Sequence, residues 1–172
     1  TPQRWSGCGP QVSSARSCWS IRSSVPTVSP HDRAVAEVDR LADLLIEVSH
    51  RIWDRPELCF EEHHAHDLLC DTLEQQGLTP TRHAFGLETA FVAEAGTTGP
   101  VIAICCEYDA LPDIGHACGH NVIAAAGLGA GLAAARLADE MGGRVRILGC
   151  PAEEGGGGKV FMIRAGAFDD VD

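Results

Sequence analysis

Apolar positions recur with a helical period in the first half of the chain and collect into short runs in the second. Val35, Val38, Leu41, Leu45, Val48 and Ile52 lie three or four residues apart. They predict one amphipathic helix from about residue 29 to about residue 51. Ser29 can cap its start, Pro30 suits the first helical position, and Asp32 can close a capping box. Pro56 follows its end. A second helix is predicted from about residue 60 to residue 76, with Leu68, Leu69 and Leu73 on its apolar face and Gly77 as its stop. Residues 79–84 and 90–95 read as two short strands joined through Gly86, an antiparallel hairpin at a sheet edge. Residues 96–100 turn the chain into a strand expected to be central.

That strand is the run Val101-Ile102-Ala103-Ile104-Cys105-Cys106, and a second run spans residues 145–150. Between them lies a small-residue segment, residues 122–141, long enough for a crossover helix. Strand, helix and strand predict a parallel βαβ unit, right-handed almost without exception. The loops after its two strands then leave the same carboxyl edge, where open α/β sheets place their sites. The first loop reads EYDALPDIGHACGHN and the second PAEEGGGGK. The fold expected is α/β, a mixed sheet between helices.

Composition agrees with that class. Hydrophobic residues make up 45% and charged residues 22% of 172 residues, which are globular values for one ordinary domain. Aromatics at 5% and 19 glycines suit close-packed α/β layers. A net charge of −11 repels phosphate backbones and argues against nucleic acid as a partner. The longest apolar or glycine run, residues 122–135, is shorter than the roughly twenty residues of a membrane span. Eight cysteines without a CxxC pair or a signal-peptide core point to reduced, mostly buried thiols and a cytoplasmic location. Residues 1–30 hold eight Ser, four Pro and three Arg, with no Asp or Glu. They read as a disordered leader, either non-native or a transit peptide, ahead of the ordered residues 31–172.

Two glycine-rich segments invite a phosphate-loop reading and fail it. A Walker A loop requires Ser or Thr after its Lys, and Val160 follows Lys159. Gly127, Gly129 and Gly131 do not form GxGxxG and sit inside the helix, where they permit close helix–sheet packing. His63, His64 and His66 lack the i, i+4 pair of an HExxH motif and read as solvated, structural residues. Cys118, His120, Glu153 and Glu154 point to a metal site, since thiolate, imidazole and carboxylate all bind Zn²⁺ and related ions. Adjacent glutamates allow one to bind metal while its neighbour takes a proton from water. A turn rich in structural His and Cys is the competing reading.

The two loop motifs, with the earlier segment RIWDRPELCFEE, closely resemble the dinuclear metal amidohydrolases. That family includes aminoacylases, carboxypeptidase G-type enzymes, hippurate hydrolases and auxin-conjugate hydrolases. The branch most similar is that of aminobenzoyl-glutamate hydrolase subunits and β-alanyl-dipeptide-cleaving relatives, and Asn121, in place of an Asp, favours it. The resemblance covers residues 31–172 and implies a zinc-exopeptidase-like catalytic domain. It implies two divalent ions, Zn or Mn, with Cys118 as their bridge and His120 and Glu154 as terminal ligands. It makes Glu153 the general base and Asp109 the residue that orients a ligand. Glu107 falls where many relatives have a metal-binding His, and His116 has no assigned role. The implied reaction is hydrolysis of a small amide: an N-acyl amino acid, an aminobenzoyl-glutamate-like conjugate or a dipeptide. The rivals are a catalytically silent metal-binding partner subunit and a cysteine hydrolase using Cys118. The parent protein is expected to be a homodimer or heterodimer. Further ligand histidines and a lid domain are implied beyond residue 172, so the chain alone is expected to be an inactive, poorly soluble fragment.

Overall fold

The structure, a computed structural model, describes residues 28–172. All but the last three residues of the expected leader lie outside the described residues. The Ser29 cap forms as the sequence predicts, but Asp32 bonds the Ser29 hydroxyl and not its backbone N–H, so only half of the capping box closes. Ser29 Oγ accepts from the Asp32 N–H at 3.1 Å and donates to the Asp32 carboxylate at 2.7 Å, opening α1 (Pro30–Arg40). The single long helix does not form. The chain turns at Leu41 and restarts as α2 (Ala42–Trp53). Val35 and Val38 stay exposed, and Leu41 is where the apolar stripe enters the core. Helix α3 (His63–Gln75) begins three residues later than predicted, because Phe60 adopts a left-handed φ of 64° that no helix accommodates.

The strands are β1 (Thr81–Arg82), β2 (Phe91–Ala95), β3 (Val101–Glu107) and β4 (Arg144–Cys150), in the order β1-β2-β4-β3. A parallel β3–β4 pair is linked by α4 (His120–Ala135) and the short α5 (Ala138–Met141), which together are the predicted crossover. The hairpin is antiparallel, but only β1 is at the edge, since β2 also pairs antiparallel with β4. The strand expected to be central, β3, lies at the other edge of the described sheet, and β4 is interior.

The sheet separates two cores. Phe91, Ala93, Cys106, Tyr108 and Ile147 face α2, α3 and α4. Leu148 and Cys150 face Met162 of α6 (Gly158–Arg164) and Ala167 beyond it, with Cys105 only partly buried beside them. Alternate residues of β2, β3 and β4 thus serve opposite faces, as a pleated strand buried on both sides requires. Gly127 and Gly131 let α4 approach the sheet. A Cβ on Gly127 would lie 2.7 Å from the Cys105 carbonyl oxygen, and one on Gly131 would lie 2.6 Å from Ile147 Cδ1. Among the described residues, six cysteines are free thiols and no helix is long and apolar enough to cross a membrane.

Candidate metal centre

Because β3 and β4 run parallel, residues 108–119 and 151–157 leave the same end of the sheet and meet there. Asp109, two residues past the end of β3, is fully buried and touches both loops. Its carboxylate Oδ2 accepts the Glu154 N–H at 2.9 Å. Its backbone carbonyl accepts from His120 Nδ1 at 2.8 Å, and Oδ1 lies 3.0 Å from the same nitrogen without a hydrogen bond of its own. A carbonyl can only accept, so Nδ1 carries a proton, and Nε2 is the nitrogen that the neutral ring would offer to a metal.

That nitrogen faces three carboxylates: Glu153 at 3.6 Å, and Glu107 and Glu154 at 3.8 Å each. The donor atoms of Cys118, His120 and Glu154 all lie within 4.8 Å of one another. Ligands of a tetrahedral zinc ion stand about 3.4–3.7 Å apart, so a small closure would satisfy one ion. The donor set of thiol, imidazole and carboxylate fits a divalent metal. It is the one such cluster among the described residues. Glu153 borders the cluster without joining it and is the more exposed of the two adjacent glutamates. Burial, together with the Glu154 carboxylate beside it, pushes the Cys118 thiol up. An unassisted cysteine nucleophile needs the opposite shift.

Other residues differ from what their sequence positions suggest. Glu107, at the end of β3, is ion-paired with Lys159 on α6. Burial works to lower the Lys159 pKa, but the bond to Glu107 and the charge of that carboxylate outweigh it and hold the ammonium above its ordinary range. His116 is buried with both ring nitrogens unpartnered, and burial lowers its pKa. His63 is exposed, but His66 is buried, stacked on His83 at 5.1 Å, so its reading as solvated is corrected. Asn121 ties α4 to α2 through the Ser49 hydroxyl at 2.9 Å.

Two acidic residues escaped the sequence reading. Glu57 accepts the His64 and Ala65 N–H groups at 3.0 Å each, capping α3, and its carbonyl accepts the Ala110 N–H at 2.8 Å. Glu62 is fully buried, and its carboxylate holds the Ala152 N–H and the Thr89 hydroxyl, each at 2.8 Å. Both belong to PELCFEE, where Glu57 falls between the two predicted helices and Glu62 in the first turn of the second, and no local pattern marks either as a partner of the site loops.

No protein-family model matches the chain. Curated relatives do. Over 145 residues, 73% of this chain and 30% of the relative, it is 41% identical to a p-aminobenzoyl-glutamate hydrolase subunit of Escherichia coli. Over 154 residues, 81% of this chain and 36% of the relative, it is 42% identical to the Xaa-Arg dipeptidase of Mus musculus. Its fold matches the crystal structure of a dinuclear metal-binding peptidase of the M20 family from Bacillus subtilis. There the TM-score is 0.68 at 29% identity, over 80% of this chain and 42% of that one. This chain belongs to the M20 metallohydrolases. It spans about a third of the length of these two curated relatives. Members at this similarity are named as hydrolases and peptidases acting on C–N bonds.

Proposed function

We propose that the chain contributes the first ion-holding half of an enzyme that hydrolyses a small amide or peptide bond. The observation that carries this reading is the convergence of Cys118, His120 and Glu154, with Nε2 of His120 turned into the cluster by Asp109. These three residues would hold a divalent ion, zinc or manganese. When bound, that ion would supply Lewis acidity toward an amide carbonyl and toward water. Glu153 takes the proton of the attacking water at its carboxylate and returns it to the departing amine nitrogen. Asp109 works through others. Its carbonyl fixes the tautomer of His120 and its carboxylate fixes the backbone of Glu154. The names of the relatives favour a conjugate such as p-aminobenzoyl-glutamate or a dipeptide as substrate. That one of them is named as a subunit favours an assembly of more than one chain.

Equilibrium titration with Co²⁺ tests the ligand assignment. Cys118→Ala and Glu154→Gln should each weaken binding at least about tenfold, and Glu153→Gln should leave it within about threefold. In the longer parent protein, Glu153→Gln should lower kcat about 10²–10⁴-fold while metal content holds. Turnover close to wild type would remove Glu153 as the base. Equal loss of metal in Cys118→Ala and Cys106→Ala would show destabilisation in place of ligation.

A further inference from the structure

Glu62 lies outside both site loops, is bonded directly to the second and reaches the first through Thr89. Its Oε1 accepts the N–H of Ala152, the residue immediately before Glu153 and Glu154. Ala152 is fully buried with a φ of 57°, a left-handed backbone that an L-residue adopts only where neighbours enforce it. The Ala152 carbonyl accepts from Gly158 at 3.1 Å, so the loop closes on itself directly after this turn. On the other side, Glu62 Oε2 accepts from the Thr89 hydroxyl, and the Thr89 carbonyl accepts from the Tyr108 hydroxyl at 2.5 Å. Tyr108 stands between Glu107 and Asp109. Thr89 and Tyr108 are as buried as Glu62, so no water competes for these bonds.

We infer that Glu62 is a positioning residue for the ion site, holding Ala152 in its left-handed turn and thereby aiming Glu153 and Glu154 at Cys118 and His120. A buried carboxylate is costly, and burial already pushes this one above the usual range. Its two partners are both donors, an N–H and an O–H, and the carboxyl group offers a separate oxygen to each. Removing it leaves the Ala152 N–H buried and unpartnered. The turn then loses the bond that offsets its backbone cost, and Glu154 leaves the cluster. The inference rests on the reading of Glu153 and Glu154 as the working carboxylates, and the test separates the two.

The test uses the 172-residue chain in two arms. Without metal, hydrogen exchange at the Ala152 amide should be strongly slowed in wild type. It should accelerate about 5- to 150-fold in Glu62→Ala, measured where circular dichroism shows both folded, the range that loss of one buried hydrogen bond implies. With Co²⁺, Glu62→Ala should bind at least about tenfold more weakly, the size of loss typical for groups that orient ligands. Glu62→Gln keeps an acceptor for Ala152 and should restore both readouts to near wild type. Thr89→Val should lower stability and leave Co²⁺ affinity within about threefold. If Glu62→Ala does not fold, Glu62→Asp, whose carboxylate falls short of Ala152, is read in its place. Unchanged exchange at Ala152 overturns the inference whether or not cobalt binds. Wild type that takes up no cobalt defeats the metal reading instead, and the exchange arm then decides the role of Glu62 alone. Weakening by Thr89→Val equal to that of Glu62→Ala would reduce Glu62 to a structural part and also overturn it.

Discussion

At the scale of single residues, the acidic side chains divide by what they touch. Those at the surface make ordinary ion pairs, such as Arg33 with Glu140 and Arg136 with Glu37, worth little once solvated. Glu62, Asp109 and Glu57 instead spend their oxygens on backbone N–H groups that fix the site. Glu62 has a pH signature. Burial raises its pKa in the folded state, so its contribution is fully present below its unfolded value of about 4.3 and is lost as pH rises through the folded value. Glu62→Gln cannot ionise. The urea midpoint of the variant relative to wild type should therefore improve between about pH 4 and pH 7. A difference that stays flat over that range would mean the carboxylate ionises in the fold without penalty. The candidate ligands Cys118, His120 and Glu154, and Glu153 beside them, were legible in the sequence because they sit in two short motifs of metal-binding residue types. Of the residues that aim them, Asp109 was legible in the first motif, and Glu62 was not. Glu62 meets Ala152 across 90 positions and Lys159 meets Glu107 across 52, and no local spacing encodes such a pairing.

At the scale of elements, the βαβ unit was readable because it is written in local terms: two apolar runs of strand length and a small-residue helix between them. Which strand is interior was not readable. Both β3 and β4 are apolar runs, and edge position depends on where β2 docks, a pairing between residues some fifty apart. The break at Leu41 was also hidden, since the apolar spacing passes through it unchanged and only the exposure of Val35 and Val38 distinguishes the halves. The glycines of α4 act as the packing devices their positions suggest, and they allow a sharp test. Ala in place of Gly in an exposed helix gains about 1 kcal/mol. Gly127→Ala should instead lose about 1–3 kcal/mol, because its Cβ would press on the Cys105 carbonyl and on Cys106 Sγ at 2.9 Å. Chemical denaturation that shows a more stable variant would mean that α4 is free to move off the sheet.

At the scale of the whole molecule, one three-ligand cluster among the described residues sets the stoichiometry. The 172-residue chain should take up one divalent ion per chain and show no amide turnover, because a dinuclear centre needs more donors than these loops bring together. Two ions per chain by elemental analysis, or hydrolysis of an N-acyl amino acid, would contradict this. Apolar side chains remain exposed on both sides of the fold, with Val122 on α4 at 59% and Ile163 on α6 at 57%. The single tyrosine of the chain has a separate use. Tyr108 is sealed between Phe91 and Thr89, and burial holds its phenol well above its ordinary range. In the unfolded chain the same phenol ionises near pH 10. The fold therefore keeps its contribution below about pH 10 and loses it as pH climbs further. Phenolate absorbance near 295 nm should stay silent through pH 10 and then rise in one abrupt step, together with loss of the far-ultraviolet signal. An alkaline titration thus becomes a dye-free melting curve, in which a proton leaving a side chain beside the candidate metal site announces that the sheet has come apart.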